Sequence, residues 1–189
     1  MQKLNHPVEK LVKTISYKDV EFDVVERPDV LWVGCIAYAK NNIDPPFPDD
    51  DMSLLERYRS LFDFPKLELI NPDWSAAISI NYDLSDKPSG IMFAQETYTD
   101  KQDKHHELFI QPGGLWLRLL NDKKAAILLG KEHPAAYEYY AESQIIQNVA
   151  KENGYIQNPN IHVCVEYSCH AEYDTPPHRN YAYMPICCK

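Results

Sequence analysis

Glu166 is the residue whose surroundings most clearly allow chemistry, because a carboxylate there interrupts an apolar, β-branched stretch. The segment Ile161–Ser168 alternates in polarity, which predicts a strand with His162, Cys164 and Glu166 on one face. A carboxylate in that position is costly unless it is paired or hydrogen-bonded. Two interpretations stay open: a solvated residue on the outer face of a strand, or a group that recognises a cation or acts as a base.

Aromatic side chains are the second unusual feature, with thirteen tyrosines and three tryptophans in 189 residues. Tyrosine suits ligand pockets because its ring is large and rigid and carries a polar tip. Alternation gives each side chain a face, but it does not tell which face borders a cleft. The candidate pocket walls are Trp116, Tyr82, Tyr98, Tyr181 and Tyr183. Trp32 and Tyr38 lie in the most apolar strand and are predicted to be core.

A cluster of histidines and cysteines near the end of the chain raises the question of a metal site. The cluster is His162, Cys164, Cys169, His170 and His178. Neither CxxC nor HxxxH spacing occurs among them, so the sequence favours ordinary polar turn residues and buried thiols over structural zinc. We therefore expect no metal and no cofactor.

Composition limits the class of protein. A net charge of −9 argues against direct contact with a nucleic-acid backbone and is compatible with cationic small molecules. The chain has no apolar run of about eighteen residues and no signal-peptide pattern at its start, which predicts a protein outside membranes. Five cysteines without zinc-ribbon spacing favour a reduced cytoplasm.

Periodicity predicts an α+β chain of two similar halves that share one core. Residues 1–18 are interpreted as an arm or a short helix, and strands over Val20–Glu26 and Leu31–Ala39 are expected to pair around Pro28-Asp29. The remaining predicted elements are a helix over Met52–Phe62, strands over Trp74–Asp83 and Ile91–Tyr98, a strand over Glu107–Asn121 interrupted at Pro112-Gly113-Gly114, a helix between Pro134 and Gly154, and closing strands over Ile161–Ser168 and Asn180–Ile186.

Several stretches, taken in order, resemble the GyrI-like effector-binding domain of AraC- and MerR-type bacterial regulators, which also occurs as a stand-alone protein. The similarity covers roughly residues 20–186 and is distributed over many short pieces. The pieces are Phe22–Ala39, SLLERYRSL at 53–61, Ile78–Asp83, QPGGLWLRL at 111–119, Ala135–Tyr155, VCVEY at 163–167 and YAYMPI at 181–186.

The resemblance implies tandem βαββ-like repeats: two antiparallel sheet halves, a helix from each half and a ligand cleft between them. It implies an arm over residues 1–19 and the domain over 20–189. The residue matching Glu166 receives lipophilic cations in multidrug-sensing relatives, and Trp116 stands where the family usually has tyrosine. The resemblance also implies a small-molecule ligand. No helix-turn-helix pattern precedes the domain, so we expect no direct nucleic-acid contact, and a regulator partner or a second copy as protein partner.

A hydrolase is the alternative function that the resemblance leaves open. Some stand-alone members of the wider family are implicated in hydrolysing reactive cyclopropane-containing compounds. Glu166 in a dry pocket could activate water, with Glu96 as a second carboxylate. No nucleophile motif, phosphate loop or well-spaced acid pair supports this reading, so the residues favour binding over catalysis.

Overall fold

The computed structural model describes residues 9–38, 69–70, 74–100, 106–120, 122–130, 144–169 and 180–189. These form ten strands and two helices. The strands are β1 (Lys10–Tyr17), β2 (Val20–Arg27), β3 (Val30–Tyr38), β4 (Trp74–Ile80), β5 (Gly90–Thr97), β6 (Glu107–Gln111), β7 (Gly114–Leu120), β8 (Tyr155–Gln157), β9 (Val163–Cys169) and β10 (Asn180–Cys188). The helices are α1 (Lys123–Leu129) and α2 (Gln144–Glu152).

All ten strands belong to one antiparallel sheet in the order β1-β2-β7-β10-β9-β4-β5-β3-β6, with β8 added beside β10. The strand pairs β2–β7 and β3–β6 lie far apart on this path but use the same two stretches of chain. Arg27 pairs with Gly114 in the first pair and Val30 pairs with Gln111 in the second, and only two residues separate β2 from β3 and β6 from β7. The sheet therefore curls back on itself, and these two strand pairs meet at a corner.

Gly113 makes the corner possible. A Cβ atom on this residue would lie 2.8 Å from both the Asp29 nitrogen and the Pro28 carbonyl carbon, so only glycine fits. The Gly113 N–H donates to the Asp29 carboxylate over 2.6 Å, which fastens the two connections to each other. The interruption predicted at Pro112-Gly113-Gly114 is thus confirmed, and it is the point where β6 ends and β7 begins.

The two faces of the sheet carry separate apolar clusters. One face packs against the helices and joins Phe22, Leu117 and Met184 to Ala125 and Val149; we call it the helix face. The opposite face we call the inner face. Its cluster is Val25, Val30, Trp32, Trp74, Ala76, Ile78, Ile80, Met92, Ala94, Trp116, Ile161, Val163, Val165, Tyr167 and Tyr183.

Both helices that the structure describes lie in the second half of the chain, and local signals mark their ends. The Asp122 carboxylate accepts from the backbone of Lys124 and Ala125 at the start of α1, and Gly130 ends it with φ 69°. Gly154, with φ 88°, follows α2 and confirms the predicted stop. Neither α1 nor β8 was among the predicted elements.

Two predictions about the first strands are wrong. Residues 10–17 form β1, which pairs with β2 around Lys18, so this part of the expected arm is neither free nor helical. The strands β2 and β3 do not pair with each other around Pro28-Asp29. Proline fixes an extended connection there, and the chain continues into the other end of the sheet instead of reversing.

Some predictions lie outside the described residues, including the helix over Met52–Phe62 and the first part of the helix after Pro134. Among the helices that the structure does describe, none is long and apolar enough to cross a membrane. The division into an arm over 1–19 and a domain over 20–189 stays a prediction.

Candidate functional site

The centre of the inner face is a stack of buried aromatic rings. Trp74 stacks on Tyr167 with ring centroids 4.9 Å apart, and it stacks on Tyr181 at 6.1 Å. Trp32 meets Tyr167 edge-on at 5.6 Å. These offset and T-shaped contacts are the arrangements that aromatic quadrupoles favour. With Trp116, all three tryptophans of the chain lie buried on this face.

The contact between Trp32 and Tyr167 shows that the inner face is concave. Their strands, β3 and β9, are separated by β5 and β4. In a flat sheet three strand spacings amount to about 14 Å, with side chains standing perpendicular to the sheet. Ring centroids only 5.6 Å apart require the strands to curve toward each other on this side.

Glu96 is a buried carboxylate among these rings. It lies on β5 directly opposite Trp32 and is 7% exposed. The Tyr167 hydroxyl donates to its Oε2 atom over 3.3 Å. Trp32 in turn donates its indole N–H to the Gln111 side chain over 3.0 Å. The inner face of this sheet half, formed by β9, β4, β5, β3 and β6, therefore combines rings with a buried acidic group.

The other sheet half, formed by β1, β2, β7 and β10 with β8, carries two arginines on the same inner face. The Arg27 guanidinium lies 4.4 Å from the centre of the Tyr183 ring, and Arg118 lies 5.2 Å from that of Tyr181. The Glu9 carboxylate reaches between them: it contacts Arg118, and its Oε2 lies 3.6 Å from Arg27 Nε.

Burial and charge shift the pKa values of this arginine cluster. Burial lowers the pKa of Arg118, but the hydrogen bond to Asp23 at 2.7 Å and the charge of Glu9 outweigh it, so the pKa is raised. Burial raises the pKa of the Tyr183 phenol, and Arg27 offsets only part of that effect. Arg118 is therefore a fixed cation and Tyr183 a neutral phenol at neutral pH.

Three of the predicted wall residues lie on the inner face and two do not. Trp116, Tyr181 and Tyr183 lie there, as alternation along β7 and β10 requires. Tyr82 follows the end of β4, where Asn81 has φ 54°, and it packs against the helix-face cluster. Tyr98 follows the end of β5 and is 65% exposed. Both strands end one or more residues earlier than predicted, so strand alternation no longer applies to either tyrosine.

Glu166 lies on the helix face of the sheet, opposite Ala182 and Ala77. It is half-buried and its Oε1 atom accepts a hydrogen bond from the Asn180 side chain. Its neighbour Tyr167 points to the inner face, as the predicted alternation implies. Glu166 is thus separated from the ring stack by the sheet itself, and ligand binding by this residue stays a prediction. Glu96 and Glu166 cannot form an acid pair, since they lie on opposite faces.

An open cavity of about 520 Å³ adjoins the arginine cluster. Arg118, Tyr181 and Asp23 line it on the sheet side, and Lys18 and Lys124 line its outer parts. Acidic residues including Asp19 and Asp122 also border it, so the lining carries both signs of charge. The cavity connects solvent with the edge of the inner face at Tyr181.

The predicted cluster of histidines and cysteines is described only in part. Within the ranges that the structure describes, no three His, Cys, Asp or Glu side chains are grouped closely enough to hold an ion. His162 is instead paired with Asp83, with Nδ1 and Oδ1 3.0 Å apart. His170 and His178 lie outside the described residues.

Sequence reasoning missed most of the residues that define the inner face. Trp32 was expected to be core, and Trp74, Tyr167, Arg27 and Glu9 were not singled out. Tyr167 carried a usable signal, because it alternates with Glu166 and faces away from it. Arg27 had no such signal in the sequence, because a charged residue at a predicted strand end is usually solvated.

Cys164 provides a test of the helix face. Burial raises the pKa of its thiol to about 12, so the reactive thiolate is scarce at pH 8. We expect Cys164 to resist alkylation in the native protein while exposed Cys188 reacts, with both reacting after unfolding in guanidinium. Mass spectrometry of labelled peptides measures this. Equal native labelling rates at the two positions would show that Cys164 is not buried.

Comparison with known proteins identifies the fold. No family model matches the sequence, and no curated protein matches it. The crystal structure of the EcmrR C-terminal domain, however, superposes with a TM-score of 0.59 at 10% identity, over 90% of this chain and 99% of that one. The chain has the fold of that domain.

The same likeness extends to the cryo-EM structure of an EcmrR–DNA complex, with a TM-score of 0.54 and 10% identity. Here 90% of this chain is covered, and the chain spans 58% of the length of that one. At this identity the likeness concerns the fold. The predicted α+β class with an antiparallel sheet is confirmed.

Proposed function

We propose that this protein is a small-molecule-binding domain of the effector-binding type, GyrI-like in kind, acting as a cytoplasmic sensor. EcmrR, whose C-terminal domain has this fold, is described in a complex with DNA. The likeness supports a role in transcription regulation, with a regulator or a second copy of this chain as the protein partner. Binding, not catalysis, fits an inner face on which Glu96 lies among rings and the other buried carboxylate, Glu9, is paired with Arg118, so that the described part of the chain offers no acid pair.

The observation that carries the proposal is the position of Glu96. Its carboxylate is flanked by Trp32 on the neighbouring strand and is hydrogen-bonded by Tyr167. Aromatic faces attract a cation by about 0.5–2 kcal/mol each, and the attraction grows when water is excluded. A carboxylate in the same setting adds a charge that is poorly screened. The ligand class is therefore a lipophilic cation, with Glu96 taking the role expected for Glu166.

Titration with tetraphenylphosphonium tests this assignment, with intrinsic tryptophan fluorescence as the readout. All three tryptophans lie on the inner face, so the signal reports on that face alone. We expect saturable quenching by the cation and about a tenfold loss of affinity in Glu96→Gln, because the variant keeps the shape and removes the charge.

Glu166→Gln is the matched control, since it makes the same change on the other face of the sheet. We expect its affinity to equal that of the wild type. A loss confined to Glu166→Gln would overturn the assignment to Glu96 and support the role first predicted for Glu166. Tetraphenylborate, an anion of the same shape, separates charge recognition from apolar binding.

A further inference from the structure

The arginine cluster of the inner face contains a buried cation whose hydrogen-bonding capacity is unused. The Arg27 side chain is fully buried, and none of its three guanidinium nitrogens has a hydrogen-bond acceptor among the described residues. Among the described residues, its guanidinium lies against the Tyr183 ring and 3.6 Å from the Glu9 carboxylate. Leaving five N–H donors unpaired in a dry setting is costly, because each has given up water without replacing it.

A second donor without a partner lies on the same face. Trp116 is directly opposite Val25, two residues before Arg27 on β2, and its indole N–H has no acceptor within the described ranges. Tryptophan N–H groups normally find a partner when buried. Donors from Arg27 and Trp116 therefore share one wall of the inner face, with Arg118 beside them.

Glu9 is the only carboxylate that reaches both arginines in the part of the chain that the structure describes. Its geometry is unequal: it contacts Arg118 closely, whereas its distance to Arg27 exceeds a hydrogen bond. It comes from the residue just before β1, which pairs with β2 alone among the described strands. Glu9 thus sits where a carboxylate ligand would sit, but it leaves Arg27 incompletely satisfied.

We infer that Arg27 and Arg118 form a binding site for an aromatic carboxylate, and that the Glu9 side chain holds this site when no ligand is present. The ligand carboxylate would accept from both guanidinium groups, for which the planar Arg fork is suited. Its ring would lie against Trp116 and Tyr181, and the cavity beside Arg118 and Tyr181 gives a route from solvent. This goes beyond the proposed cation site, which lies on the other sheet half at Glu96 and uses none of these residues.

The competition with Glu9 gives a distinctive expectation. A ligand that must displace an internal group binds with an apparent affinity reduced by the fraction of molecules in which the site is open. Glu9→Gln removes the competing charge, so we expect naphthoate to bind the variant at least about tenfold more tightly than the wild type. A purely structural ion pair predicts the opposite, since losing Glu9 would only weaken the site.

The test is calorimetric titration of naphthoate into the wild type and Glu9→Gln, with naphthamide as the uncharged isostere. Glu26→Gln is the matched control, because it removes one negative charge from an exposed position on β2 that faces away from the site. The double variant Glu9→Gln/Arg27→Met should lose the naphthoate binding gained by Glu9→Gln, while it leaves no unpaired charge at either position.

Equal naphthoate affinity in the wild type and Glu9→Gln overturns the inference, as does equal tightening of naphthamide. If circular dichroism shows that Glu9→Gln does not fold, Glu9→Asp replaces it, because its carboxylate is one methylene shorter and cannot span both arginines. Glu9→Asp must then bind naphthoate more tightly than the wild type, and failure to do so refutes the proposal. The tetraphenylphosphonium titration is unaffected by either outcome, so the two proposals fail separately.

Discussion

We expect Gly34→Ala to lower the free energy of unfolding by about 3 kcal/mol, at the upper end of the range for overpacked cores. Gly34 lies on β3 opposite Ala94 of β5. A Cβ atom at Gly34 would lie 2.0 Å from the Phe93 carbonyl oxygen and 2.8 Å from the Ala94 Cα atom. These are backbone atoms, which cannot move aside without separating the strands. Equilibrium denaturation in urea measures the change.

Gly130→Ala is the control for this prediction. Gly130 has φ 69° but open space around it, so alanine there meets a conformational cost of about 1 kcal/mol and no clash. The difference in unfolding free energy between the two variants measures the cost of the clash between β3 and β5. A Gly34→Ala variant no less stable than Gly130→Ala would show that the strands are farther apart than described.

We expect Trp32→Ala to cost about 3–5 kcal/mol of unfolding free energy, the range for truncating a fully buried tryptophan. Trp32 has no exposed surface, meets Tyr167 edge-on and donates its N–H to Gln111. Truncation would leave a cavity in the ring stack. It would also leave the side-chain carbonyl oxygen of Gln111 buried without its hydrogen-bond donor. Urea denaturation with circular dichroism detection measures the loss.

Two further variants show which part of the Trp32 loss comes from packing. Trp32→Phe keeps a ring but removes the donor, so we expect an intermediate cost of about 1–3 kcal/mol. Leu108→Ala, at a partly exposed site on the neighbouring strand β6, should cost under about 1 kcal/mol. A Trp32→Ala variant as stable as Leu108→Ala would mean that the ring stack is not part of the folded core.

The two proposed binding sites would have a physical consequence for sensing. Cation recognition at Glu96 and carboxylate recognition at Arg27 and Arg118 would use opposite sheet halves. The halves are joined through the β10–β9 pair and through the corner at Gly113. A ligand at either end therefore contacts strands that continue into the other half, which is a direct route for coupling the two sites.

Local patterns allowed much of the sheet to be predicted. Alternation placed Leu115, Leu117 and Leu119 opposite Trp116 and Arg118, and the structure confirms it. It did so because a two-residue period is a property of the extended backbone itself. The predictions for Tyr82 and Tyr98 depended on the last residue of a strand, which is less certain because a local φ change such as that at Asn81 redirects every following side chain.

The sequence by itself determined the α+β class, the faces of the main strands and the break at Pro112-Gly113. Only the tertiary structure decided which face is concave, because curvature arises from the pairing of strands distant in sequence and from the corner that joins the β2–β7 and β3–β6 pairs. Because the sheet is concave on the inner face, Glu96 lies among the rings and Glu166 lies on the opposite, helix face. It also brought Glu9 to Arg27 and Arg118, because a contact across the sheet depends on strand order, which no local pattern encodes.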